Sequence, residues 1–244
     1  MTTTVSPLWY ATRATGVMAL LLLTVTVLLG VATAAGTARP GIPRLVTGAL
    51  HRNLSLLVLG FVVAHVLTTV LDSYTSIGLT AAFVPFTSSY RGFWLGLGAV
   101  ALDLLLAVTV TSLLRDRLSY RAWRAVHWLS YASWPVALWH GLGTGTDTRV
   151  PWLLALDALC AASVLGVAGW RLARARPGPA RLALIAVTAL LPLATVVFVA
   201  LGPLQPGWAR RAGTPASLLG AAGREPSRQG PVTHLDGSGH ARGH

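Results

Sequence analysis

The chain has 244 residues, 54% of them apolar and only 11% charged, and its mean hydropathy is +0.63. A soluble domain carries about a quarter charged residues, so a single water-soluble core is excluded, and so is disorder over most of the length. The formal charge of +12 rests on 19 arginines with no lysine; they cluster between apolar runs instead of along an aromatic-basic face, which fits membrane topology and gives no nucleic-acid partner.

Six apolar runs lie at about 14–35, 54–71, 93–114, 125–142, 150–170 and 182–202. Each is long enough to cross ~30 Å of hydrocarbon as a helix. Lipid offers no partner to open backbone groups. The expectation is therefore an all-α fold, a six-helix transmembrane bundle over residues 1–202, surrounded by membrane lipid. In the first run, Ala32-Thr33-Ala34 resembles a cleavage site, but the apolar stretch is longer than that of a typical secretory signal. Loop 36–53 carries Arg39, Arg44 and Arg52. The second helix carries His51 and His65. Gly60 lies between them, where a missing side chain lets a flat ring approach the backbone.

Segment 72–92 is rich in Tyr, Phe, Ser and Thr, contains Arg91 and is long for a bundle connection, so it is expected to cap one face. The third run holds Asp103, and loop 115–124 carries Arg115, Arg117, Arg121 and Arg124. The fourth helix holds His127 and His140 with Pro135 between them, and Trp123, Trp128, Tyr131, Trp134 and Trp139 crowd it. Asp157 and the single cysteine, Cys160, lie in the fifth run, which excludes disulfide and cysteine-metal frameworks. Loop 171–181 carries Arg171, Arg174, Arg176 and Arg181. Residues 203–244, rich in Gly, Pro, Ser and Arg, read as a disordered tail containing His234, His240 and His244.

Arginine placement orients the bundle. Loops 36–53, 115–124 and 171–181 hold eleven of the nineteen arginines. The positive-inside rule places these loops in the cytoplasm and both termini outside. The second and fourth helices then run outwards in parallel.

An ionisable residue within a membrane span is a functional hypothesis by default. His51 and His65 are 14 residues apart, His127 and His140 13, or about 21 and 19.5 Å of helix. His51 and His127 then share an inner level, His65 and His140 an outer one. A neutral imidazole on each side of an iron is the arrangement of a six-coordinate b-type haem. On ideal helices the first two histidines lie about 40° apart and the second two about 140°, so the fourth helix must be non-ideal, with Pro135 as the expected cause. Arg52 and Arg124 stand at the inner rim and Arg91 and Arg149 at the outer rim, where haem propionates need cations. Interfacial tryptophans also form membrane belts, and rim arginines also anchor loops. Asp103 and Asp157 suit either a proton relay or an interhelical hydrogen bond.

The stretches LHRNLSLLVLGFVVAHVLTTVLDSY, VPFTSSYRGFW and YRAWRAVHWLSYASWPVALWHGLGTGTD, with their paired histidines, resemble the ferric reductase-like transmembrane domain. Ferric reductases, NADPH oxidases and the haem subunit of bacterial methionine sulfoxide reductase systems share that domain. The resemblance covers about residues 8–172. It implies two b haems, His51 paired with His127 and His65 with His140, that pass electrons across a cell membrane. Nothing after the sixth run reads as a flavin or nicotinamide domain, so the donor is expected to be a separate flavoprotein or membrane quinol. Actinobacterial-looking relatives of this short form suggest an extracytoplasmic FMN-binding protein, ferric iron or another small oxidant as acceptor. Two alternatives stay open: a haem-binding or haem-sensing membrane protein without net electron transfer, and a transporter whose histidines relay protons. The broken-helix pairs expected of many transporters are not evident.

Overall fold

Runs of Leu, Val and Ala satisfy their own backbone hydrogen bonds by winding into helices. The computed structural model describes residues 6–34, 44–72, 77–145, 147–174 and 177–222, and among these there is no strand. In chain order the helices are α1 (Pro7–Ala34), α2 (Arg44–Leu71), the short α3 (Leu79–Phe83), α4 (Gly92–Leu113), α5 (Tyr120–His127), α6 (Ser130–Thr144), α7 (Pro151–Ala173), α8 (Pro179–Leu201), and the short α9 (Trp208–Arg211) and α10 (Ala216–Ala222). A 3-10 turn at Arg115–Arg117 separates α4 from α5. Prolines open α7 and α8, where the missing N–H is no loss. The Ser119 hydroxyl caps α5, accepting from the Ala122 N–H at 3.3 Å.

Four helices among the described residues are long and apolar enough to cross a membrane: α1, α2 from Leu45, α4 and α7. The sequence leads one to expect six. The difference lies in the fourth and sixth runs. α6 has 15 residues, a length of about 22 Å, and the apolar stretch described in α8 is Ile185–Leu201.

The fourth run is not one helix bent at Pro135. It is two helices, joined at Trp128 and Leu129. The joint is wound tightly: Leu129, Tyr131 and Ala132 donate to carbonyls three residues back, Val126, Trp128 and Leu129. Pro135 sits inside α6. Its ring crowds the carbonyl four residues earlier, so the disturbance falls in the preceding turn. Ser130 and Ser133 hydroxyls donate to the carbonyls of His127 and Ser130, at 2.7 and 2.9 Å. Three-per-turn winding adds about 20° per residue. The three such bonds at the joint therefore lower the 140° offset between His127 and His140 towards that of His51 and His65 in α2.

α1 runs antiparallel along α2, α4 packs along α6, and α1 also contacts α6 and α7. The buried cluster at this junction contains Leu23, Val27, Val58, Trp134, Leu138, Leu142 and Cys160. The Trp134 indole N–H donates to Thr24 Oγ1 at 2.9 Å, which satisfies it within the core.

Arg91 organises one end of the bundle. It precedes α4 in a left-handed conformation (φ 43°, ψ 47°), which costs a non-glycine residue about 1 kcal/mol. Its N–H donates to Gly213 O at 3.0 Å. Its guanidinium is buried, with Nε donating to Thr214 Oγ1 at 2.9 Å and Nη1 to the carbonyls of Thr144 (2.8 Å) and Gly143 (3.3 Å). These contacts cap the end of α6 and tie down the segment after α8. Trp208 Nε1 donates to Gly143 O at 3.2 Å, and Arg149 to the carbonyls of Pro203 and Leu204. Residues 203–222, expected as part of a disordered tail, therefore form α9, α10 and a strap across the bundle end. Residues 223–244, with His234, His240 and His244, lie outside the described residues, as do Arg39 and Arg176.

Candidate functional site

α2 turns His51 and His65 towards α1. His65 Nδ1 lies 2.7 Å from the Thr12 carbonyl, and His51 Nδ1 lies 3.2 Å from the Thr26 carbonyl. On α6, His140 Nδ1 lies 2.9 Å from the Trp94 carbonyl of α4. A carbonyl only accepts, so each of these Nδ1 atoms carries the proton and donates it. Each Nε2 is left as a bare lone pair, the state of a metal-ligating imidazole. His127 differs: its Nδ1 is buried with no hydrogen-bond partner among the described residues. Its ring instead stacks on Trp123, with centroids 4.9 Å apart and planes 24° apart. The Arg115 guanidinium stands 4.7 Å from the Trp123 ring.

The four histidines form two pairs, at two levels. The ring centroids of His51 and His127 are 6.3 Å apart, those of His65 and His140 6.2 Å. A metal–imidazole bond of about 2.0 Å on each side, plus about 1.1 Å from ring nitrogen to ring centre, separates two trans imidazoles by about 6.2 Å. Each pair therefore matches the spacing of two axial ligands of one metal. No group of three or more His, Cys, Asp or Glu residues poised for a metal occurs among the described residues. Two protein ligands are too few for a bare ion, which takes three or four; they suffice for an iron already held by a porphyrin. The donor set fits haem.

The rim arginines divide. Arg52, beside His51, and Arg124, one turn before His127, are exposed. Arg91 stands at the end of the bundle, but its side chain is buried there. Its guanidinium is directed into the end of α6, because the carbonyls of Gly143 and Thr144 need donors there. Gly60, between the two histidines of α2, meets nothing within 4 Å of where a Cβ would stand. The close approaches occur elsewhere: Gly16 faces His65, Gly30 faces His51, and Gly98 faces His140. These glycines, the three carbonyls and the Trp123 stack surround the histidines without offering a side-chain ligand of their own. Their trace is a Thr-x3-Gly pattern at Thr12–Gly16 and again at Thr26–Gly30, with Trp94–Gly98 at the same spacing.

No curated protein and no solved structure matches the chain. The family described as ferric reductase like transmembrane component matches residues 15–138. That segment holds His51, His65 and His127, as well as Gly16, Gly30 and Gly98. With apolar helices that meet the length of a membrane and a match over half its residues, the chain belongs to the ferric reductase-like transmembrane family.

Proposed function

We propose that the chain is a di-haem b transmembrane electron-transfer protein. It carries electrons from a flavoprotein or quinol donor on the cytoplasmic side to an extracytoplasmic acceptor: a flavoprotein, ferric iron or another small oxidant. The observation that carries this reading is the pair of imidazole spacings, 6.3 and 6.2 Å, one pair at each level. Bound haem iron supplies reversible one-electron chemistry between its ferric and ferrous states. His51 and His127 hold the inner group, His65 and His140 the outer. The carbonyls of Thr12, Thr26 and Trp94 keep three rings in the metal-binding tautomer. The apolar helices exclude water and lower the local dielectric, and the exposed Arg52 and Arg124, near His51 and His127, would offer cations to haem propionates.

In this reading there are six crossings, α5 and α6 together making one and α8 another. The loops around 36–53, 115–124 and 171–181 face the cytoplasm, and the Arg91 strap lies outside. Residues up to 202 are the haem-binding unit, and the strap at 203–222 closes its outer end.

Purified protein is expected to give about two haems per chain in a pyridine haemochrome assay, one for each axial pair. In proteoliposomes with a reductant inside, a ferric chelate outside is expected to be reduced faster than in liposomes carrying His65→Ala. Absence of haem from protein expressed with haem sinks the reading. Haem without transmembrane reduction replaces it with a haem-sensing role.

A further inference from the structure

In an α-helix the carbonyl of residue i accepts from the N–H of residue i+4 and keeps one lone pair facing outwards. The side chain of residue i+4 leans back over the preceding turn, across that carbonyl. A glycine at i+4 uncovers it. Thr12 and Gly16 stand in this relation opposite His65, Thr26 and Gly30 opposite His51, and Trp94 and Gly98 opposite His140. The device thus occurs three times on two helices, each time aimed at a histidine. On α1 it repeats after 14 residues, the interval between His51 and His65 on the antiparallel α2.

On the reading of the site given above, we propose that Gly16, Gly30 and Gly98 are positioning residues. Each opens a helix carbonyl to the Nδ1–H of the facing histidine and so fixes that ring's tautomer and its aim at the iron. A Cβ at Gly98 would stand 2.6 Å from His140 Nδ1 and Cε1; at Gly16, 3.0 Å from His65 Cε1; at Gly30, 3.2 Å from His51 Cε1. An imidazole is rigid, so at Gly98 the ring must leave its carbonyl. At Gly16 and Gly30 it must tilt. Gly166, in the middle of α7, meets nothing within 4 Å and is the control for a glycine without this role.

The test is alanine at each position in the full chain, read by haem per chain, by the low-spin ferric EPR signals and by redox titration. Gly98→Ala is expected to lose the outer signal and about half of the haem. Gly16→Ala is expected to keep haem and shift the outer signal and its potential alone. Gly30→Ala does the same for the inner signal, and Gly166→Ala matches the parent. A parent protein without haem overturns both this proposal and the functional reading beneath it. A haem-loaded parent whose three glycine variants match Gly166→Ala overturns the positioning role alone. Should Gly98→Ala not fold, Gly16→Ala and Gly30→Ala decide. Outer-only and inner-only shifts uphold the proposal, and shifts in both signals or in neither overturn it.

Discussion

His127 is the one histidine of the four whose Nδ1 lacks a hydrogen-bond acceptor among the described residues, and an aromatic stack holds its ring in place. A hydrogen bond from Nδ1 both orients an imidazole and raises its basicity as a ligand. The outer pair has this support on both sides, the inner pair only from Thr26. An aromatic stack is worth about 0.5–1.5 kcal/mol. Trp123→Ala is therefore expected to weaken inner haem binding by roughly two- to tenfold and to spare the outer site. Titration of haem into the apoprotein, followed by difference spectra, checks this. Ligand removal is more drastic. His65→Ala and His140→Ala should each abolish the outer haem signal only, and His51→Ala and His127→Ala the inner one. Equal loss of both signals in all four folded variants would count against two levels.

The histidines themselves are legible in the sequence because a polar ring in an apolar run stands out and helical rise converts spacing into depth. Their supports are not. The acceptors for His51, His65 and His140 are backbone carbonyls, which every residue has, and the residues that face those histidines are glycines, which are common in membrane helices. Arg91 misleads for a related reason. Its charge suggests a rim, but the unsatisfied carbonyls at the end of α6 draw it inwards, and the sequence around Arg91 does not show that it will meet a helix end 52 residues away.

The α5–α6 joint shows what periodicity captures and what it loses. Pro135 signals that the fourth run cannot be ideal, and it is not. The tightening lies ahead of Pro135, at the carbonyls of Val126, Trp128 and Leu129, before the Tyr131 carbonyl that the proline ring crowds. The short strap elements after α8 are held by Arg91, Arg149 and Trp208, contacts too distant in sequence to be read from local composition. Arg91→Met removes charge-assisted hydrogen bonds from a buried site and should destabilise the strap by about 2–4 kcal/mol. Faster protease cleavage within 203–214, with both haem signals retained, is the expected result. The orientation of the elements is testable with cysteine probes, since Cys160 is buried and gives little background. Thr87→Cys should react with an impermeant maleimide added to intact cells, whereas Arg121→Cys and Arg174→Cys should react only after lysis.

At the scale of the whole molecule, the four histidines are divided evenly between two helical hairpins. α1 with α2 supplies one histidine per level and both of its carbonyl supports. α4 with α5 and α6 supplies the other histidine per level and the Trp94 support. α2 and α4 scarcely touch, and contact between the two hairpins passes mainly through α1 against α6. This division sets an order of biogenesis. The first hairpin carries both rings of α2 together with their carbonyl acceptors, and it leaves the ribosome before the second has been made, since chains emerge N-terminal end first. Each half then waits for the other with a half-built pair of clamps. Two separately translated fragments, 1–75 and 76–244, are therefore expected to find each other in the membrane when co-expressed. Affinity capture of one should recover the other far better from haem-replete cells than from haem-starved ones.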